Sequence, residues 1–313
     1  MRYLAIVLLL LATLGAALAQ RSFDTDILRE TFGYDDHTKK SVALKDLHQG
    51  CSRRDCIPSI DAPNYIAASA TDFLADDDVV IALSWKGQYR AYPARILDHH
   101  EIVNDTIAGT ALAITWCPLC GSAVGVHREI DGQVTEFGVS GLLYNSDLVF
   151  YDRATNTLWD QVMATGIVGP LTGSKLVFLP VTMTTWGRWR KQHPDTMVLS
   201  TDTGFDFDYS VDAYTRYRSS SNLMFPVLQT DDRVRPKTVV FGFALGDTTI
   251  AFTEALLTEQ KSVSHDLNGD TLVVTMNDDG TVLLETDDGR SHAPIRLFWF
   301  AWFTFHPQTE LVK

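Results

Sequence analysis

Apolar runs at Val79–Leu83 and Val239–Phe243 each lead through a Gly-containing turn to a second strand, ending Ala91-Tyr92 in one case and Ala251-Phe252 in the other. A short helix-like stretch and a further strand follow each, so both segments read β-turn-β-α-β. Sliding the chain on itself places Val79–Trp116 over Val239–Met276 without gaps. Val79-Val80 then falls on Val239-Val240, Leu97 on Leu257, Val103 on Val263, Gly109 on Gly269, Leu112 on Leu272 and Thr115 on Thr275. A second echo supports a duplication, because Trp186-x-x-Trp189-x-x-x-His193-Pro194-x-Thr196 recurs as Trp299-x-x-Trp302-x-x-x-His306-Pro307-x-Thr309. Tryptophans three apart predict a short amphipathic helix closing each copy and ended at the His-Pro step. Asn277–Gly280 and Asp287–Gly289 predict hairpin turns.

The pattern predicts an α+β, predominantly β protein of two internally related halves packed as one unit. The expected divisions are a signal peptide at 1–19, an N-terminal segment at 20–43 and a first half at 44–200. A connecting loop at 201–236 and a second, degenerate half at 237–313 complete the chain. The signal peptide rests on the apolar stretch from Leu4 and the small-residue step Ala17-Leu18-Ala19 before Gln20; its core is short for a spanning helix, and no later stretch resembles one. An extracytoplasmic protein, periplasmic or secreted, is therefore expected, with no membrane span after cleavage.

Composition narrows the chemistry. With 313 residues, 45% of them hydrophobic, the chain can bury a large core. A net charge of −13 without a Lys/Arg cluster disfavours nucleic acid and anionic membranes as partners and leaves a small molecule or metal ion. Four cysteines are too few for a disulfide-built scaffold, so Cys117 and Cys120 need another reason in an oxidising compartment.

The two halves differ at that point. The first carries Cys117-Pro118-Leu119-Cys120-Gly121 where the second has the ordinary turn Asn277–Gly280, and the first alone holds an insert from about Phe137 to Leu176. A Cys-Pro-x-Cys-Gly turn between strands aims two thiolates at one point and has the form of a metal knuckle. It supplies two ligands. His100 and Glu101, at the head of the strand that pairs into the knuckle, are the expected third and fourth, and copper, zinc or iron the expected ion, with its identity open. Asn104, Asp105, Ser140 and Asn145 are candidates for the surrounding polar shell. Glu101 and Asp147 are the candidates for acid–base work, should the ion keep an open position. His127 reads as structural, and Cys51 and Cys56 as a local disulfide or unrelated thiols.

Two alternatives stay open. The pair could exchange disulfides, although Gly121–Val126 reads as a strand and not as the helix that would activate a thiolate. It could also be a structural clip in a ligand-binding module. Asp202, Asp206, Asp208 and Asp212 lack the spacing of a helix–loop–helix calcium site, and Ser264-His265-Asp266 is adjacency without triad geometry.

Several motifs together carry a resemblance: Asp55-x-Ile57-Pro58, His100–Asp105, Cys117–Gly121, Phe137–Leu143, Tyr151-Asp152-Arg153-x-Thr155, Gly169-Pro170-Leu171-x-Gly173 and the Trp-x-x-Trp…His-Pro-x-Thr segment. In these the chain resembles an exported bacterial and archaeal family catalogued as domain of unknown function 3179, from about Leu44 to Thr309. The resemblance implies a shared architecture and no particular reaction. Glycine is expected at Cys56 in that family, which implies that Cys51 and Cys56 are peculiar to this chain and are not ligands.

Overall fold

The computed structural model describes residues 26–313, so the expected signal peptide lies outside the described residues. The molecule is predominantly β, with short helices, and its repeat is visible element by element. Strands Val79–Trp85 and Gln88–Pro93, helix Ala94–Leu97, and strands Ile102–Ile107 and Thr110–Cys117 make the first copy. The second has strands Val239–Leu245 and Thr248–Thr253, helix Glu254–Gln260, and strands Ser262–Leu267 and Asp270–Met276. Two-residue turns at Ala108-Gly109 and Asn268-Gly269 hold both positions at positive φ, the turn whose twist suits a hairpin.

The register repeats as well. Val80 pairs with Pro93 as Val240 does with Thr253, and Ile107 with Thr110 as Leu267 does with Asp270. The tryptophan motifs complete each copy in the same way. Thr182–Thr185 and Ile295–Phe298 pair antiparallel with the first strand of their copies. Helices Trp186–Gln192 and Trp299–Phe305 follow, and Met197–Leu199 and Glu310–Val312 return parallel to the second strand. The shared Thr has a packing reason: Trp189 Nε1 donates to Thr196 Oγ1 at 3.0 Å and Trp302 Nε1 to Thr309 Oγ1 at 2.9 Å. Each His lies over its Trp with ring centroids 4.0 Å apart.

One apolar core joins the halves, since the knuckle cysteines, Phe137 and Trp159 pack in the same cluster as Phe298, Trp299 and Trp302. Burying such aromatics contributes on the order of 2–3 kcal/mol each, which is why the halves pack as one unit. The insert supplies four strands of a five-stranded sheet ordered Leu47–Gln49, Phe137–Tyr144, Asp147–Asp152, Leu158–Asp160 and Thr165–Val168, its first strand coming from the N-terminal side. Its second and third members form a hairpin whose tip meets the knuckle.

Candidate metal centre

Thr110–Cys117 and Ser122–His127 are antiparallel, with Cys117 opposite Ser122, and the knuckle is the turn between them. Gly121 sits at φ 60°, and an added Cβ would come within 2.9 Å of the Phe298 ring, so the tight turn and the second half's approach both require glycine. The backbone carbonyls of the knuckle serve packing: Cys120 O accepts from the Phe298 amide at 2.8 Å and Leu119 O from Tyr217 Oη at 3.0 Å. The side chains of Cys117 and Cys120 are buried free thiols.

The insert delivers the third group. Tyr144 pairs with Asp147 across a two-residue turn, Asn145-Ser146, whose φ values of 53° and 62° are those of a type I′ hairpin. This turn brings the Ser146 carbonyl to 3.4 Å from Cys120 Sγ and 3.9 Å from Cys117 Sγ, where the thiols donate to it. It also carries Asp147 inward. Among the described residues, Cys117, Cys120 and Asp147 form the one group of three donors brought together, with their ligand atoms within 4.8 Å of one another. The donor–donor edge around a tetrahedral zinc ion is roughly 3.7 Å, so a small inward adjustment would complete three coordination positions.

Charge makes the cluster unusual. Asp147 is wholly buried; its Oδ2 accepts from the Val162 amide at 3.0 Å, and Oδ1 has no hydrogen-bond partner. Burial, and then the charge of Cys117, push its carboxyl well above the usual range. Burial likewise raises the Cys120 thiol, with further contributions from Cys117 and Asp147. Asp160, raised by burial and by Asp147, lies behind it, and Glu101 is pushed up to about 8 by burial, Asp98 and Asp147. Among the described residues, no ion pair reaches Glu101, Asp147 or Asp160. Buried acids without a counter-charge are costly to ionise, so their raised pKa values favour the neutral form, and ionising them calls for a paired cation or a metal.

The structure places the other expected residues differently. Ile102 pairs with Thr115, and the Trp116 amide donates to Glu101 O at 2.7 Å, so the His100-Glu101 step does stand at the knuckle's end of the sheet. Its side chains part there. Glu101, at φ 56°, directs its carboxyl into the acidic group but lies outside the three-donor cluster. His100 is not brought to the thiols: Nδ1 is 2.7 Å from the Pro58 carbonyl and Nε2 2.6 Å from Tyr209 Oη, with Phe205 and Phe207 against the ring. Both nitrogens are engaged, leaving no free lone pair for a metal. Burial holds this imidazole down at about 4 and therefore neutral.

The polar shell is also rearranged. Asn104 joins strands by donating to Asp61 and the Phe137 carbonyl and accepting from the Phe137 amide. Asp105 accepts from Tyr65 and Tyr92 hydroxyls at 2.5 and 2.6 Å. Ser140 bonds the Val149 carbonyl and the Leu142 amide at the bulge in its strand. Asn145 alone of these four belongs to the turn at the thiols, where its Oδ1 fastens the Leu228 amide at 2.9 Å. Tyr214 and Tyr217 were not anticipated as neighbours; they come from the region of the short helix Thr215–Ser219, and Tyr217 closes over the knuckle. Their only mark in sequence is an aromatic pair three apart in a polar stretch. Cys51 and Cys56 form a disulfide, away from this cluster.

The donor set thus consists of two thiols and a carboxyl, closed in by both halves. The chain belongs to the family described as Protein of unknown function (DUF3179), whose family model matches residues 54–297. That span includes all three donors. No curated protein and no solved structure matched the chain.

Proposed function

We propose that this protein is an exported metal-binding protein that holds one borderline or soft ion, copper, zinc or iron, through Cys117, Cys120 and Asp147. The observation that carries this reading is a fully buried group of three ionisable donors with no counter-charge, in which Asp147 Oδ1 has no hydrogen-bond partner. Two thiolates and a carboxylate would balance a divalent ion to a single net negative charge. They also leave one tetrahedral position for water or a small ligand. Glu101 is the candidate to take or give a proton there, being a buried carboxyl beside Asp147 that titrates near neutrality. The Cys51–Cys56 disulfide supports an extracytoplasmic setting; among the described residues, no helix is long and apolar enough to cross a membrane.

Thiol–disulfide exchange fits less well. Cys117 and Cys120 are 1% and 0% exposed, so a partner disulfide has no approach to either sulfur. The residues after Cys120 enter strand Ser122–His127, and no helix N-terminus lowers the thiol.

The test is elemental analysis of protein purified without chelator or metal-affinity tag, alongside a count of free thiols. About one ion per chain is expected, lost in Cys117→Ala and in Asp147→Asn but kept in His100→Gln. No metal after reduction and reloading, with the pair cycling between thiol and disulfide, would overturn the proposal in favour of exchange chemistry.

A further inference from the structure

A cavity of about 590 Å³ lies at the junction of the halves, a size suited to a small organic molecule. Its walls are largely apolar, with Val124, Met163, Leu179 and Trp302 among them. Although the chain has 39 acidic residues, none lines this cavity; its ionisable groups are Lys175, His292 and His306. Lys175 makes no ion pair among the described residues, and His292 Nε2 is buried without a hydrogen-bond partner.

The duplication offers a comparison for His306. A smaller cavity of about 290 Å³ adjoins it, sharing the wall of Pro180, Val181, Leu283 and Pro294, and has Trp189 and His193 where the larger has Trp302 and His306, and Ser84 where it has Ala244. In the smaller cavity the chain supplies its own anion, since Asp279 Oδ2 sits 3.2 Å from His193 Nε2. The repeat places Leu119 opposite Asp279, and no carboxylate reaches His306 among the described residues. The carboxylate that meets the histidine of one copy thus has no counterpart at the histidine of the other, which lines a larger, mostly apolar space.

From this asymmetry we infer that the larger cavity binds a small organic anion, an aromatic or aliphatic monocarboxylate. Its apolar body lies against Trp302 and Leu179, and its carboxylate meets Lys175 and the imidazoles of His292 and His306. The inference does not depend on the metal reading, because neither the cysteines nor Asp147 line this space.

Titration calorimetry with 1-naphthoate and its neutral analogue 1-naphthalenemethanol tests it on the mature protein. Naphthoate is expected to bind at least tenfold more tightly than the alcohol, and Lys175→Ala to weaken naphthoate at least fivefold with little effect on the alcohol. Ala244→Phe, which places a ring in the cavity from an exposed position, is expected to abolish both. Equal affinity for the two probes, no binding of naphthoate, or binding that survives Ala244→Phe would each overturn the inference.

Discussion

Replacing Asp147 with Asn separates what this carboxyl does for folding from what it does for a ligand. In the metal-free protein the carboxyl is buried, and its pKa is raised by desolvation first and by Cys117 second. A group whose folded pKa lies above its unfolded value binds more protons in the folded state between the two values, so stability falls as pH rises through that window. The slope is about 1.4 kcal/mol per pH unit for one proton. Asparagine keeps the size and the acceptor for the Val162 amide and carries no such slope. Relative to wild type, Asp147→Asn should therefore gain stability as pH rises from 5 to 7, at no more than about 1.4 kcal/mol per pH unit. Urea unfolding of the reduced, chelator-treated proteins at pH 5, 6 and 7 measures this, with an unchanged denaturant slope as the check that the unfolded state is the same. A pH-independent difference, or a variant that becomes relatively less stable as pH rises, would refute the claim that this carboxyl is buried without a counter-charge. Combined with loss of the metal, the gain would mark a residue retained for binding against the interest of stability.

Three further outcomes follow from the same reasoning. Burial holds His306 down at about 4, so the unfolded state binds more protons from about pH 4 to 6.5 and stability is lost on acidification; up to about 3 kcal/mol of acid sensitivity should disappear in His306→Gln, read by unfolding at pH 4.5 and 7. Thr196→Val and Thr309→Val should each cost about 1–3 kcal/mol, because each leaves a buried Trp Nε1 without its acceptor, and a negligible loss in calorimetric melting for either would break the equivalence of the two copies. Serine at both Cys51 and Cys56 should cost about 2 kcal/mol, the chain-entropy value for so short a loop, while metal content stays at the wild-type level.

The features legible in sequence were those written locally. The two copies could be aligned because each strand, turn and helix carries its own periodicity, and the Trp…Thr spacing encodes a hydrogen bond between one short helix and the turn that follows it. The knuckle was legible for the same reason, as two thiols and a glycine in five residues. The third donor was harder to place because its position depends on a long-range contact. Asp147 was visible as a polar residue near the insert's turn, but its arrival at the thiols depends on the type I′ geometry of Asn145-Ser146 and on how the insert's sheet docks. His100 failed in the opposite direction. Its sequence position put it at the right end of the sheet, but the 201–236 loop packs Phe205 and Phe207 on its ring and engages Nε2 through Tyr209, while the Pro58 carbonyl engages Nδ1.

The second copy supplies a control that the molecule carries within itself. Where the first copy has the knuckle, the second has Asn277–Gly280, whose backbone carbonyls at Asn277 and Asp278 accept from Arg188 and whose Asp279 meets His193. This turn docks the copies without any cysteine. In the first copy the comparable docking runs through the Leu119 and Cys120 carbonyls, which accept from Tyr217 and from the Phe298 amide. At this position backbone carbonyls carry docking hydrogen bonds in both copies, while the thiol side chains of the first pack in the shared apolar core. What the second copy lacks is the ionisable group itself, two buried thiols met by a carboxyl that burial destabilises, and a perturbed cluster of this kind is the feature that the proposed ligand would account for.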